Sequence, residues 1–325
     1  MKVIALEEHC ASPAFLAGPG RMLVEEAKAV GSATEALEAL CDVGEKRIAA
    51  MDAAGIDMQV MSLTWPGVEH LGPVEAVVVA KDANDYMASA TRKFPDRLSA
   101  FAALPMGDPA AAAAELDRCV NDLGFRGALI NGHINGRYLD DPCFSLVLQR
   151  AEDLGVPIYI HPTKSPQPIL DTWFGGLPLG IKQIVTAGAW GWHIETAAHV
   201  VRLMAAGVFD RYPKLQIIVG HLGESLSFML LRKKLDASMT RERTGLERTF
   251  GAYLRENVSY TFSGFDMTPA FLNLFLEVGA ERIMFSSDYP FSSPHKARQF
   301  LDRLPVSAND RERIGGANAA KLLRI

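Results

Sequence analysis

Side chains that bind metals or transfer protons stand at the ends of several short apolar runs in this sequence: Glu7, His9, His161, His221 and Asp288. Imidazole nitrogens and carboxylate oxygens are ligands of divalent metals, and the same groups move protons in acid–base catalysis. One histidine at the end of a strand is often only a structural hydrogen-bonding residue. Several such side chains in equivalent positions indicate a metal or acid–base site, provided that the apolar runs meet at one edge.

The apolar runs have the length of buried parallel strands, and each is followed by a helical pattern. Eight strands are predicted, at residues 3–6, 57–63, 98–104, 125–131, 157–161, 216–220, 257–262 and 282–287. Helices are predicted at residues 35–54, 74–94, 109–122, 142–154, 193–207, 224–240, 268–278 and 295–304, with a tail helix at 311–323 that we interpret as a packing element.

Eight strand–helix units favour a closed (β/α)8 TIM barrel, since a doubly wound open sheet usually has about six strands. No Ser- or Pro-rich linker divides the chain, so residues 1–325 are predicted to form a single α/β domain. In such a barrel the C-terminal ends of the strands share one mouth. Because side chains alternate along a strand, we expect Glu7 and His9 to point into the barrel and Glu8 to point toward the helices.

Two connections are too long to be plain loops: residues 10–34 after the first strand and residues 162–192 after the fifth. Connections of this length tend to be lids or binding loops. The second carries three of the four tryptophans, Trp173, Trp190 and Trp192. These residues fit either the packing of a lid or an aromatic wall for a planar substrate, and we favour the wall.

Composition argues against binding to nucleic acid and against a secreted or membrane-spanning protein. The formal net charge of -5 and the scattered lysines and arginines give no basic field for nucleic acid. The four cysteines form no C-x-x-C pair, which favours reduced thiols in a cytoplasm. The apolar run at the N-terminus ends at Glu7, far short of a signal peptide, and no stretch reaches the roughly 20 residues of a membrane span.

The order of the motifs resembles the amidohydrolase superfamily, in its metal-dependent decarboxylase branch, which includes the hydroxybenzoate decarboxylases. The motifs are E-x-H in the first strand, H-P after the fifth, G-H-x-G-E after the sixth and S-x-D-x-P-F after the eighth. The resemblance covers nearly the whole chain, including residues 101–105, 127–132 and 318–319. The hydrolase branch opens with H-x-H instead, so Glu7 indicates the decarboxylase side.

The resemblance implies one divalent ion held by Glu7, His9, His161 and Asp288. Binuclear members carry a Lys or carboxylate at the end of the fourth strand, where this chain has Asn131. Two carboxylates and two imidazoles suit Mn²⁺ or Zn²⁺ better than Mg²⁺. The resemblance places Mn²⁺ ahead of Zn²⁺. No organic cofactor is expected, because the sequence has no convincing G-x-G-x-x-G or Schiff-base lysine signature.

The activity implied by the resemblance is nonoxidative decarboxylation of a hydroxylated aromatic carboxylic acid, a small-molecule substrate. Asp288 would protonate the ring carbon that bears the carboxylate, with His221 and Glu224 facing the substrate. From the residues alone, His221 and Glu224 also fit a helix start, where the glutamate stabilises the helix N-terminus. Candidate substrate-binding residues are Asn131, Arg232, Trp190 and Trp173. Asn131 fits a turn cap equally well, and Arg232 fits a solvated or interface position.

Two other functions use the same residues. A metal-bound water with Asp288 as general base would hydrolyse a lactone or related ester, and a barrel without catalysis would serve as a binding protein. The family resemblance also implies a homo-oligomer, a dimer or a tetramer. We interpret His193, His199 and His295 as surface or packing histidines, whereas His70 and His133 follow strands and fit either the barrel mouth or the surface.

Overall fold

The computed structural model describes residues 1–30, 34–230 and 238–325. Its strands alternate with helices as a (β/α)8 barrel, which confirms the predicted fold class. Each strand lies within or overlaps its predicted segment: β1 Ile4–Cys10, β2 Met58–Leu63, β3 Leu98–Ala100 continued by Ala102–Ala103, β4 Ala128–Asn131, β5 Ile158–His161, β6 Ile217–Val219, β7 Val258–Thr261 and β8 Ile283–Met284.

Helices cover the outside of the barrel and its two ends. Within the described residues they are α1 Pro13–Ala17, α2 Arg21–Val30, α3 Thr34–Cys41, α4 Glu45–Ala54, α5 Pro73–Lys93, α6 Pro109–Asn121, α7 Ser145–Leu154, α8 Gln167–Phe174, α9 Leu179–Thr186, α10 Gly191–Ala205, α11 Val208–Arg211, α12 Leu226–Leu230, α13 Arg241–Thr244, α14 Phe250–Glu256, α15 Thr268–Val278, α16 Pro294–Arg303, α17 Ala308–Glu312 and α18 Asn318–Leu323. Short 3₁₀ turns at Pro142–Phe144, His221–Gly223 and Ala280–Arg282 and a π-turn at Arg313–Ala317 complete the set.

Hydrogen bonds close the sheet at the two places where the regular ladder is interrupted. Phe101, between the two segments of β3, donates its N–H to the carbonyl of Met61 at 2.8 Å. The N–H of Leu6 in β1 donates to the carbonyl of Phe285, directly after β8, at 3.1 Å. The strands therefore form a closed ring with the order β1 to β8, and no strand edge is left unpaired at these points.

The barrel is filled by alternate residues of its strands. Nine strand side chains form one interior cluster with Ala319 and Leu323 of α18: Ile4, Leu6, Met58, Val60, Phe101, Leu129, Tyr159, Ile218 and Met284. Intervening residues such as Val3 and Ala5 pack outward into the larger core beneath the helices. The predicted tail helix is therefore part of the core, because it packs against the barrel interior.

A bulge in β1 sets the direction of the functional side chains. Leu6 pairs with Val60 and Glu8 pairs with Met61, so Glu7 is an extra residue in the strand, and its φ is 64°. Ile4 and Leu6 face the interior, so unbroken alternation from them would have turned Glu8 inward. The extra residue reverses the alternation of the side chains, so that Glu8 faces outward and His9 faces inward. The predicted directions of Glu7, His9 and Glu8 are thus correct, but they depend on a bulge that simple alternation does not contain.

Several predicted elements differ in extent. The helix predicted at 35–54 is two helices, α3 and α4, because the Asp42 carboxylate accepts the N–H of Gly44 at 2.7 Å and turns the chain between them. The two long connections contain helices of their own, α1 and α2 after β1, and α8 and α9 after β5. Of the helix predicted at 224–240, α12 covers residues 226–230 near its start, and residues 231–237 lie outside the described residues. Within the described residues, no helix has the length and apolar character needed to cross a membrane.

Glu8, on the outward face of the bulged strand, joins β1 to its two neighbours. Its Oε1 accepts the backbone N–H of Ser287 at 2.7 Å, and its Oε2 accepts the Ser287 hydroxyl at 2.6 Å and Gln59 Nε2 at 3.1 Å. Gln59 in turn accepts from the buried Arg47 guanidinium at 3.1 Å. One buried carboxylate thus holds the ends of β1 and β8 together beside Asp288.

We predict that Glu8→Ala lowers the free energy of unfolding by about 3 kcal/mol, because it leaves three buried donors without an acceptor. Chemical denaturation measures this change. Glu45→Ala is the matched control: its exposed carboxylate pairs with Lys93 at 3.0 Å at the surface, where an ion pair contributes little. Equal destabilisation by the two substitutions would contradict the role given to Glu8.

Candidate active site

The ends of β1 and β5 bring Glu7, His9 and His161 together at the mouth of the barrel. Ligand atoms of these three buried side chains all lie within 4.8 Å of one another. The Oε2 atom of Glu7 accepts hydrogen bonds from the hydroxyls of Tyr159 and Ser263. Its Oε1 atom is buried without a hydrogen-bond partner and lies 3.5 Å from His161 Nε2. One oxygen of the carboxylate is therefore fixed by the protein and the other is left for a ligand.

Asp288, just beyond β8, lies next to this group. Its Oδ1 lies 3.2 Å from His9 Nε2, and its φ of 61° turns the chain sharply at this point. The rings of His9 and His161 meet edge to face with their centroids 4.9 Å apart. The side chain of Asp288 is 18% exposed, whereas that of His9 is 1% exposed, so Asp288 is the more open of the two to solvent.

The donor atoms of this group fit a divalent metal ion. Glu7 Oε1, both ring nitrogens of His9, and His161 Nδ1 are buried without hydrogen-bond partners, which is costly unless something else satisfies them. Burial, with His9 and His221 nearby, holds the pKa of His161 well below its usual value, so that its imidazole is neutral. Burial also raises the pKa of Glu7. A cation would offset that cost, and neutral imidazole with carboxylate is the ligand chemistry such an ion takes.

A second group of ionisable side chains adjoins the first. Glu224 accepts from His221 Nδ1 at 2.8 Å and from His193 Nδ1 at 2.6 Å, and His221 Nε2 lies 3.9 Å from Glu7 Oε1. Burial alone would lower the pKa of His221, but the carboxylates of Glu224 and Glu7 outweigh it and raise that pKa to about 10. Glu224 thus orients a cationic His221 toward the Glu7 carboxylate.

A cavity of about 1010 Å³ opens above these residues. His9, His161, His221 and Asp288 form part of its lining, and Trp65, Trp192 and Phe291 supply aromatic walls. The rings of Trp65 and Trp192 lie with centroids 5.5 Å apart. Ionisable groups at one end and aromatic rings around the sides make a pocket for a planar ligand with one polar end.

Two tryptophans predicted to bind substrate lie elsewhere. Trp173 and Trp190 pack against each other with centroids 5.9 Å apart, and both contact Phe174. They are 49% and 47% exposed, and neither is part of the cavity lining in the described structure. Because their rings face one another and solvent, the aromatic wall comes from Trp192 of the same segment and from Trp65.

The remaining predicted residues are placed as follows. Asn131, the last residue of β4, pairs in register with His161 and is buried. Arg232 lies outside the described residues. His133 hydrogen-bonds the carbonyl of Lys164 and is not part of the cavity lining. His70 is exposed and also lies outside that lining.

Sequence reasoning missed several residues of the site. His193, interpreted as a surface or packing histidine, is buried and bonded to Glu224. Tyr159 was detectable, because it lies two residues before His161 and so shares its inward face. Ser263 follows β7 as the polar residues follow the other strands. Trp65 lies two residues after the predicted second strand, so its place at the C-terminal end of the barrel could also have indicated the mouth.

Comparisons with known proteins agree with this geometry. The amidohydrolase family model matches residues 36–325. The gamma-resorcylate decarboxylase of Rhizobium sp. (strain MTP-10005) is 37% identical over 99% of this chain and 98% of its own length. The crystal structure of a 2,6-dihydroxybenzoate decarboxylase in complex with 2,6-dihydroxybenzoate superposes with a TM-score of 0.89 at 36% identity, covering 100% of both chains.

A second crystal structure carries a metal. The dihydroxybenzoic acid decarboxylase of Polaromonas sp. JS666, with bound manganese and the inhibitor 2-nitroresorcinol, has a TM-score of 0.89 and 34% identity, covering 99% of this chain and 97% of that one. With a family match over most of its length and relatives aligned from end to end, this chain belongs to the amidohydrolase family, and the relatives it resembles there are decarboxylases.

Proposed function

We propose that this protein is a metal-dependent decarboxylase of hydroxylated aromatic carboxylic acids of the hydroxybenzoate type. One observation carries the proposal. Asp288 Oδ1 lies 3.2 Å from His9 Nε2, a buried atom without a hydrogen-bond partner, and Asp288 also lines the cavity with aromatic walls. A carboxyl in that position serves as a proton donor to a planar ligand whose polar end is bound beside Glu7, His9 and His161. The similarity to decarboxylases supports the same activity.

The cavity has the chemistry to receive an aromatic acid. Trp65, Trp192 and Phe291 offer apolar faces that cover a ring. Lys164 and Lys182 also line the cavity, and neither forms an ion pair within the described residues. Their positive charge favours the approach of a carboxylate anion toward the buried end. The alternative substrates, lactones and neutral esters, would draw no benefit from these lysines.

Glu7, His9, His161 and Asp288 are the residues that we propose to hold one divalent metal ion. Mn²⁺ is our first choice, since the Polaromonas relative binds manganese, and Zn²⁺ suits the same donors. When bound, the ion supplies positive charge that stabilises the carboxylate and the ortho oxygen of the substrate. Tyr159 and Ser263 keep Glu7 oriented by donating to its other oxygen.

We propose that protonated Asp288 transfers its proton to the ring carbon that bears the carboxylate. That carbon becomes tetrahedral and the ring loses its aromaticity, so the bond to the carboxylate weakens. When the bond breaks, its electron pair returns to the ring, the aromatic phenol re-forms and CO₂ leaves. Asp288 is left as a carboxylate and regains a proton from solvent, to which its side chain is 18% exposed.

His221 and Glu224 act beside this step. The cationic His221 lines the cavity. Glu224 accepts a hydrogen bond from its ring at 2.8 Å and is itself held by a hydrogen bond of 2.6 Å from His193. A positive group there stabilises the negative charge of the bound acid. We propose that His221 contacts the substrate and that Glu224 keeps it charged and oriented.

We further propose that the protein is a cytoplasmic homo-oligomer, a dimer or a tetramer. The connection after β5, residues 162–192, is called the lid segment here. Its apolar side chains are unusually exposed: Trp173, Leu179, Ile181, Ile184 and Trp190. Exposed apolar surface of this kind is typical of subunit interfaces. The four cysteines are free, as expected in a reducing compartment.

Ile184→Asp should convert the oligomer to monomer, because it places a charge in this apolar surface. Size-exclusion chromatography with light scattering gives the mass. Val78→Asp is the control, since Val78 is 65% exposed on α5, outside the lid segment. An unchanged mass for Ile184→Asp, or equal dissociation by Val78→Asp, would exclude this surface as the interface.

His161→Ala is expected to lose both bound metal and activity. Removing even an outer partner of a metal ligand costs about 10- to 100-fold in affinity, and removing a ligand should cost more. Metal analysis of the purified protein measures the loss. His295→Ala, which removes an exposed imidazole on α16, should keep both metal and activity. Full metal content in His161→Ala would remove His161 from the ligand set.

Asp288→Asn should decrease CO₂ release by at least about 100-fold, the usual effect of a lost general acid, while the protein still binds metal and substrate. The amide keeps the size and one oxygen but has no acidic proton. In heavy water the wild-type product should carry deuterium at the carbon that bore the carboxylate. Near wild-type activity of Asp288→Asn, or hydrolysis of lactones without any CO₂ release, would contradict the mechanism.

A further inference from the structure

His193 forms a second hydrogen bond that the proposed reaction does not use. It is the third residue of α10, directly after the lid segment, and it is buried. Its Nδ1 atom lies 2.6 Å from Glu224 Oε2, and its Nε2 atom lies 2.8 Å from the carbonyl oxygen of Gly188. Both of these oxygens are acceptors, so the ring forms the two bonds as a donor from each nitrogen. One imidazole therefore joins the end of the lid segment to the loop after β6.

The turn that contains Gly188 connects α9 to α10 at the edge of the cavity. Three residues next to this hydrogen bond line the cavity: Thr186, Ala187 and Trp192. The N–H of Trp192 also donates to the carbonyl of Ala187 at 3.3 Å, which closes the turn. The bond from His193 to Gly188 fixes this turn against α10, and it thereby fixes the part of the cavity wall that Trp192 supplies.

The lid segment is held to the barrel near its two ends. At its start, Trp65 Nε1 donates to the Thr163 hydroxyl at 3.1 Å, and His133 hydrogen-bonds the carbonyl of Lys164 at 3.1 Å. Among the residues that the structure describes, the hydrogen bonds of residues 166–187 stay inside the lid segment. The position of the lid therefore depends on packing and on these ends, and His193 is the hydrogen-bonding side chain at the second end.

On the other side of its ring, His193 fixes Glu224. The two carboxylate oxygens have separate donors, since Oε2 accepts from His193 and Oε1 accepts from His221 Nδ1 at 2.8 Å. The two imidazole rings lie with centroids 4.7 Å apart, and Phe265 packs against both of them. Without the donor on His193, a buried carboxylate oxygen would lose its partner, and Glu224 would no longer be held in the orientation that His221 needs.

We infer that His193 is a positioning residue that links the end of the lid segment to Glu224, so that one imidazole holds both the cavity wall at Trp192 and the ring of His221. The hydrogen bond to Gly188 serves the binding of the substrate, and the hydrogen bond to Glu224 serves the chemical step. The inference rests on the proposed function for the second effect. Its effect on the lid does not depend on which reaction the protein catalyses.

Two amide substitutions of His193 separate these effects. The amide nitrogen of asparagine lies as many bonds from the backbone as Nδ1 of histidine, so His193→Asn should keep the donor to Glu224 and lose the one to Gly188. The amide nitrogen of glutamine corresponds in the same way to Nε2, so His193→Gln should keep the donor to Gly188 and lose the one to Glu224. His295→Asn and His295→Gln are the matched controls, because they make the same changes at an exposed position of α16.

Limited trypsin digestion of the manganese-loaded protein tests the effect on the lid. Cleavage after Lys182, in α9, requires the lid to open, and its rate follows the population of the open form. We expect His193→Asn to be cut at least about fivefold faster than wild type, the effect of one lost hydrogen bond, and His193→Gln to be cut at the wild-type rate. Mass spectrometry identifies the cleaved bond, and thermal unfolding shows that each variant is folded. Equal rates for the two variants would overturn the inference.

CO₂ release from 2,6-dihydroxybenzoate tests the effect on the chemical step. His193→Asn should raise KM about fivefold with little change in kcat, because part of the binding free energy is then used to order the wall. His193→Gln should lower kcat at least about tenfold at a nearly unchanged KM, because His221 is no longer oriented through Glu224. The two controls should keep the wild-type kcat, KM and trypsin rate.

The same proportional loss in kcat and KM for both variants would make His193 merely structural and would overturn the inference. If one variant does not fold, the other decides the matter by its own combination of trypsin rate, kcat and KM. Absence of CO₂ release by the wild-type protein would contradict the proposed function instead. In that case the trypsin rates of His193→Asn and His193→Gln alone decide whether His193 holds the lid segment.

Discussion

The carboxylate of Glu7 lies at the barrel mouth with no exposed surface, and the rest of the site depends on how its charge is balanced. Removing an ionised carboxylate from water costs several kcal/mol unless it is paired or hydrogen-bonded. Tyr159 and Ser263 satisfy one oxygen, and the other faces His161 and His221. A metal ion in this position relieves the same cost, so that folding prepares the site for the ion.

Backbone strain accompanies this arrangement. Residues with positive φ occur at Glu7, His221, Glu224, Ser263 and Asp288, all after or within strand ends at the mouth. Non-glycine residues adopt this conformation at a cost that the surrounding structure must offset, and such residues concentrate at functional sites. The closed ring of strands offsets it here, because the sheet fixes both ends of each short connection.

Two adjacent glutamates of β1 have opposite tasks. The bulge turns Glu7 toward His161 and Glu8 toward β8 and β2. Glu8 accepts three hydrogen bonds there. Glu8 therefore fixes Ser287, the residue directly before Asp288, relative to the strand that carries Glu7 and His9. Groups contributed by the first and last strands of the barrel keep a constant separation, which a site assembled from distant parts of the chain requires.

The aromatic walls of the cavity reduce the contact of His9, His161 and Asp288 with water. Aromatic rings from the loops after β2, β5 and β8 surround the cavity, so charges at its base interact through a medium less polarisable than bulk solvent. The proposed proton transfer from Asp288 benefits, since its carboxyl is partly exposed to regain a proton while the substrate ring is covered. Helices α8 and α9 contribute Leu170 and Thr186 to the lining of this cavity.

The sequence by itself predicted the barrel and the polar residues at its mouth, since apolar strand runs and polar strand ends are local patterns. The assignment of four of these residues as metal ligands came from the resemblance to the amidohydrolase superfamily. The sequence placed Glu7, His9, His161 and Asp288 at one mouth because every parallel strand of a barrel ends there. The tertiary structure alone decided which aromatic rings line the cavity, since Trp65 reaches it from another loop whereas Trp173 and Trp190 pack together. It also decided the contacts of His193 with Glu224 and of Glu69 with Asn131. These join residues far apart in the chain through loop paths and a strand bulge, which depend on packing and not on local composition.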